Sequence, residues 1–217
     1  MGDANLHKID QKGNLIKLYA GVIFLSTQEP VGSPSGIEFD GKYLWITVKD
    51  ATDAYLIYQV DMKGNIIKSM PGVTKNYGIT TDGKNLIIST ADSGTVHVLD
   101  KKGNQISTLA SNFYSGLAFD GKNILGIVTA TNNFEVFSVK NYKIIKTVTV
   151  SSNSPGGITV NGKDIAIVSA TDFTLNIYNR NGNLIKSIAL DINYNYVDVC
   201  FDGEFYWLLS HITGGDV

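Results

Sequence analysis

The feature that most constrains this chain is a turn that returns at nearly constant spacing. Asp-Gly pairs, with one Asn-Gly, end at Gly41, Gly83, Gly121, Gly162 and Gly203, at intervals of 42, 38, 41 and 41 residues. A second turn places glycine at Gly13, Gly64, Gly103 and Gly182, and Asn141-Tyr142-Lys143 takes its place in the third full repeat. Gly and Asn tolerate the positive φ that a tight hairpin connection demands, so both series read as hairpin turns. The runs between them are short and rich in Ile, Val, Leu, Tyr and Thr, which suits strands.

Four strands per ~40-residue unit is the signature of a β-propeller, each unit being one antiparallel blade with strands A to D running outward from the axis. Helical repeats of similar period need a 3.6-residue pattern that is absent here. The ends set the blade count. After Gly203 only strand B follows, whereas the chain opens with Asn5 to Asp10 as strand C and Leu15 to Tyr19 as strand D. The expectation is therefore an all-β, five-bladed propeller forming a single domain over 1–217. Its blades would span 34–75, 76–113, 114–154, 155–195, and 196–217 joined to 5–19, the termini together completing the last blade and closing the ring.

The order Gly-Ile-x-Phe-Asp-Gly-Lys-x-Leu-Trp-Ile from Gly36, then an apolar strand and Asp-x-Lys-Gly-Asn, resembles the NHL/YVTN-type and streptogramin-lyase-like propeller repeats. The resemblance spans nearly the whole chain and implies the fold. Families of this kind include protein-binding scaffolds, lyases and hydrolases, so it does not choose a function.

Composition removes several classes. A net charge of −2 and a pI near 5.9 give no basic footprint for nucleic acid. No apolar run approaches the ~20 residues of a membrane helix, so no membrane insertion is expected. Cys200 is the lone cysteine, which excludes an internal disulfide framework. No signal-like segment precedes Asp3, and the chain has no Asn-x-Ser/Thr sequon; the compartment and the oligomeric state stay open. The four Gly-x-x-x-x-Gly-Lys strings starting at Gly36, Gly78, Gly116 and Gly157 imitate a phosphate loop. Each lacks the following Ser or Thr and lies on strand–turn–strand rather than at a helix N-terminus. With no His-Glu-x-x-His, no Cys pair and no Asp-x-Asp-x-Asp-Gly loop, neither a metal nor another cofactor is expected. His7 and His97 share a column with Tyr58 and Phe137, and Trp45 shares one with Trp207; both columns read as packing.

Departures from the repeat locate the candidate site. Gly36, Gly78, Gly116 and Gly157 form a column on strand A that Asp198 interrupts. Two positions on, Glu38 stands among Thr80, Ala118, Thr159 and Cys200. Residues two apart on a strand share a face, and blades 5 and 1 become neighbours on closure, so Asp198 and Glu38 flank one seam. His211 ends strand B of blade 5 on the same side. The D–A connection there, Ala20 to Ser35, is the longest: 22 positions separate Asn14 from Gly36, against 13 from Asn65 to Gly78. Glu38, Asp198 and His211 are thus the candidate catalytic residues. Glu38 accepting backbone hydrogen bonds and Asp198 capping a turn is the plainer alternative.

Tyr77, Tyr114, Tyr194 and Tyr196 beside D–A loops, with Asp50, Asp92 and Asp172 in B–C loops, are the candidate ligand-binding residues on that face. The sequence favours a binding or interaction module for a small molecule, a glycan or a protein. A lyase or hydrolase using Glu38, Asp198 and His211, and a structural surface or virion component, are the alternatives.

Overall fold

Twenty strands follow one another in the computed structural model, which describes residues 4–20, 33–50, 52–91, 94–110, 112–141 and 143–212. In chain order they are β1 (Ala4–Ile9) and β2 (Leu15–Ala20), then β3 (Ser33–Phe39), β4 (Leu44–Lys49), β5 (Tyr55–Val60) and β6 (Ile66–Pro71). Next come β7 (Asn76–Thr81), β8 (Asn85–Thr90), β9 (Thr95–Asp100) and β10 (Gln105–Ala110). The third group is β11 (Leu117–Phe119), β12 (Asn123–Val128), β13 (Asn133–Ser138) and β14 (Ile144–Thr149), with a 3-10 turn at Thr129–Thr131. The last are β15 (Pro155–Asn161), β16 (Asp164–Ser169), β17 (Thr174–Tyr178), β18 (Leu184–Ala189), β19 (Tyr194–Phe201) and β20 (Tyr206–Ile212).

These form five four-stranded antiparallel sheets, four of them sequential and the fifth ordered β19-β20-β1-β2. The chain is a five-bladed propeller. Its inner strands β3, β7, β11, β15 and β19 touch one another in a closed cycle. The closing blade pairs as the sequence predicts, β1 lying between β2 and β20, with Leu6 opposite Tyr19 on one side and Leu209 on the other. Lys8 lies over the Phe205 ring at 3.9 Å, adding a cation–π contact to that closure.

Both turn series behave as expected: all nine of their glycines have positive φ, from 59° at Gly162 to 100° at Gly203. The acidic residue ahead of each Lys-Gly-Asn turn has a second task. Asp10, Asp61 and Asp100 each accept two backbone N–H groups and the Asn side chain four residues on, at 2.7–2.9 Å. Each of those hairpins carries a register shift, the bulge that a glycine of positive φ permits.

The core lies between blades. Trp45 joins Ile79, Leu86 and Ile88 of blade 2, and Trp207 joins Ile37, Leu44 and Ile46 of blade 1. Their indole N–H groups donate to Asp40 and Asp202 at 2.9 and 2.7 Å, so the aspartates of the Asp-Gly turns also satisfy the buried tryptophans.

Candidate functional site

The five inner strands set the geometry of the axis. At Gly116 an added Cβ would stand 2.7 Å from Gly157 Cα, and at Gly78 one would stand 2.9 Å from Gly116 Cα. Glycine therefore lets neighbouring backbones touch. At Asp198 the fifth copy of this column carries a carboxylate instead, fully buried, accepting Ile37 N–H of blade 1 at 2.8 Å and Val199 N–H at 2.9 Å. Asp198 bridges the closing seam by side chain to backbone. Burial raises its pKa well above the usual carboxylate range, and the nearby Glu38 charge adds to the rise.

Glu38 accepts Thr80 Oγ1–H at 2.6 Å and Phe39 N–H at 2.8 Å. As a residue it keeps some contact with solvent, yet protein atoms pack densely round its carboxyl. That packing sets the cost of charging it, and its pKa rises to about 7 even though both hydrogen bonds favour the ionised form. Burial pushes the thiol pKa of Cys200, the Glu38 equivalent in blade 5, well up, and the charges of Glu38 and Asp198 add to the rise. Glu38 and Asp198 are thus brought together.

His211 lies apart from that pair, on the wall of a cavity of about 330 Å³ opening on the face of the B–C and D–A connections. Three blades contribute. Ser33, Pro34, Ser35, Lys49 and Tyr55 come from blade 1, Lys75, Asn76, Tyr77 and Ala91 from blade 2, and Val197 and His211 from blade 5. The lining is mostly apolar with a few polar groups, the usual make-up of a small-molecule site. His211 Nε2 is 2.9 Å from Asn195 Nδ2, which can only donate, so the imidazole carries its proton on Nδ1. That Nδ1 is buried without a partner. Asn76 is 3% exposed and donates from Nδ2 to Leu56 O at 3.2 Å, leaving Oδ1 buried and unpartnered on the same cavity. Burial lowers the His211 pKa.

The other candidate residues scatter. Tyr77 lines the cavity, edge-on to Phe113 with centroids 5.5 Å apart, and burial together with the Asp198 charge raises its phenol pKa. Tyr114 is 2% exposed, stacked on Phe137, and donates its hydroxyl to Glu135 at 2.6 Å. Tyr194 and Tyr196 meet His7 edge-on and line a second cavity of about 190 Å³ near the outer part of blade 5. His7 itself is 3% exposed and bonded to Ser210 Oγ at 2.8 Å, and burial lowers its pKa to about 4. Asp50 caps its own turn through Thr52 and Ala54, and Asp172 receives Asn153. Asp92 lies outside the described residues, as do 21–32 of the long D–A connection and Tyr142 of the third C–D turn.

Sequence reasoning missed Asn76, Lys49, Lys75, Tyr55 and Asn195, because none departs from its column as Asp198 does. It also missed Glu135, a buried carboxylate on β13 that both Tyr114 and Asn112 satisfy. A lone Glu between Phe134 and Val136 in an apolar strand was the available signal.

No protein-family model and no curated protein matches this chain. Among solved structures it is similar to the glutaminyl cyclase of Myxococcus xanthus, at TM-score 0.68 and 8% identity over 86% of this chain and 96% of that one. It is similar to the hydrazine synthase of Kuenenia stuttgartiensis at TM-score 0.54 and 18% identity, over 81% of this chain and 55% of that one. A chain of a nidogen/laminin complex aligns at TM-score 0.53 and 12% identity, covering 86% and 93%. At these identities the likeness is one of fold alone.

Proposed function

We propose that this propeller is a binding module whose ligand is a small molecule or short glycan seated in the cavity between blades 5, 1 and 2. The observation that carries this reading is the pair of unpartnered buried atoms, Asn76 Oδ1 and His211 Nδ1, on one cavity of about 330 Å³. A buried polar atom without a partner costs about 1–3 kcal/mol, so a ligand that pairs with it recovers that cost on binding. Tyr77 and Tyr55 supply broad, rigid contact surface with little rotamer entropy to lose.

Thermal-shift screening against metabolite and glycan libraries tests this reading. A true ligand at a hundredfold excess over its Kd stabilises the fold by about 2.7 kcal/mol. That gain should vanish in His211→Phe and in Tyr77→Ala. A ligand that stabilises both variants as well as the parent protein would place the site elsewhere.

One observation favours a second reading, a lyase or hydrolase. The Glu38 carboxyl, with a pKa of about 7, is poised to exchange a proton near neutrality beside Asp198. In that reading Glu38 is the acid–base group, Asp198 holds the seam that positions it, and His211 contacts substrate from the cavity. Replacing Glu38 by Gln would then abolish turnover and spare binding. Equal loss of both would count against it.

A further inference from the structure

We infer that the cavity takes a neutral saccharide, one or two rings in size, held by hydroxyls on its rim rather than by a charge. The inference deepens the proposed binding reading and rests on it.

The two unpartnered atoms have opposite needs. His211 accepts at Nε2 from Asn195 and so offers Nδ1–H, a donor that requires an acceptor. Asn76 spends its Nδ2 on Leu56 O, so its Oδ1 requires a donor. A carboxylate or a fully ionised phosphate ester only accepts, and an ammonium only donates. A hydroxyl does both. The atoms also come from different blades, Asn76 at the start of β7 and His211 near the end of β20, with β3 of blade 1 between them. The ligand must therefore present donor and acceptor at separate points on its edge. A single carboxamide carries both on one small planar group, whereas a pyranose distributes them round a ring.

The charges on the wall do not reverse this. Lys49 Nζ is 2.6 Å from Asp53 Oδ1, and Lys75 also has a partner within the protein, so neither is a spare cation for an anionic ligand. Tyr55, Tyr77, Pro34 and Val197 give an apolar wall suited to the C–H face of a sugar ring. The volume lies at the low end of ligand sites, which limits the occupant to one or two rings. Both unpartnered atoms have no surface open to solvent, so pairing with them takes the side-chain readjustment common on binding.

The test is titration of the full chain with methyl α-glucoside, methyl α-galactoside and maltose, with glucuronate and N-acetylglycinamide as anionic and carboxamide probes. Calorimetry reads affinity, and ¹⁵N-histidine NMR reads His211 directly in the native protein. At least one neutral sugar should saturate below about 10 mM, bind at least tenfold tighter than glucuronate, and shift the His211 Nδ1 signal. His211→Phe should weaken it at least tenfold while the melting temperature holds; should that variant fail to fold, the native His211 shift decides. Glucuronate or the carboxamide binding while the neutral sugars stay silent would overturn the ligand class and leave the cavity reading intact. Sugar binding that leaves the His211 signal unmoved would overturn the assignment to this cavity. No response from any probe up to about 10 mM would overturn the saccharide class; the cavity reading would fall only if the library screen also found no ligand sensitive to His211→Phe.

Discussion

The seams between blades 2, 3 and 4 and the seam that closes the ring between blades 5 and 1 are built on opposite plans. In the first, Gly78, Gly116 and Gly157 bring backbone against backbone, and even a methyl group has no room. In the second, Asp198 replaces the glycine and a carboxylate reaches across to Ile37 N–H. The regular seams are made by repetition and bury nothing ionisable on the axis. By contrast, two carboxyl groups with raised pKa values stand on the inner strands of blades 5 and 1, Asp198 reaching Ile37 of blade 1 and Glu38 reaching on to Thr80 of blade 2. A ring of near-identical blades thus concentrates its polar chemistry where the repeat is broken.

Removing residues 1–19 should have the largest effect. It strips β1 and β2 from the closing blade, takes Leu6, Ile9 and Tyr19 out of two core clusters, and uncovers Trp207. Each such buried side chain contributes about 1.5–3 kcal/mol, so no cooperative thermal transition should remain. Gly116→Val comes next: its branched side chain would enter space occupied by the Gly157 backbone, costing about 3 kcal/mol or more by chemical denaturation. The mirror-image change, Asp198→Gly, makes the fifth copy match the others and yet should destabilise by about 1–3 kcal/mol, because Ile37 N–H loses its acceptor. Were it neutral or stabilising, the contrast between the two kinds of seam would collapse.

The smallest effect is a pH dependence carried by the two carboxyl groups on the inner strands of blades 5 and 1. The folded pKa of Glu38, about 7, lies above its ordinary value of 4.5. Its share of stability is therefore full below about pH 4.5 and lost as pH rises through about 7, and Asp198 acts in the same direction. The turn carboxylates Asp10, Asp61 and Asp100 are shifted down and oppose this only in acid, below their ordinary value of 3.8. His7, with a folded pKa of about 4 against its ordinary 6.5, and His211 pull the other way as pH drops below about 6.5. The Glu38 fall is therefore read as the difference between the parent protein and Glu38→Gln from about pH 5 to 8, roughly 2 kcal/mol after discounting for the part-exposed side chain. Glu38→Gln keeps an acceptor for Phe39 N–H and an amide for Thr80, and should flatten that fall. Guanidinium melts at pH 5 and 8 on both proteins measure it.

The fold was legible in the sequence because Asp-Gly and Lys-Gly-Asn turns repeat with the blades. Their glycines are forced by backbone sign, and the split last copy announced ring closure through Leu6 and Leu209. Asp198 and Glu38 stood out because each breaks a column. The cavity was not legible. Asn76, Tyr55 and Asn195 are ordinary residues for the ends of strands, and their convergence depends on how three blades meet. Tyr114 illustrates the converse: from its loop position the sequence predicts a surface contact, whereas its hydroxyl turns inward to Glu135, a partner 21 residues away.

The most direct test of the account is to find where small molecules bind. In protein carrying ¹³C-labelled tyrosine and ¹⁵N-labelled histidine, a fragment library should shift the Tyr55, Tyr77 and His211 signals together. Tyr178 and Tyr206, buried away from this cavity, should stay still. Shifts confined to His7, Tyr194 and Tyr196 at the second cavity, or none at any of these residues, would contradict a binding site at the seam that closes the ring.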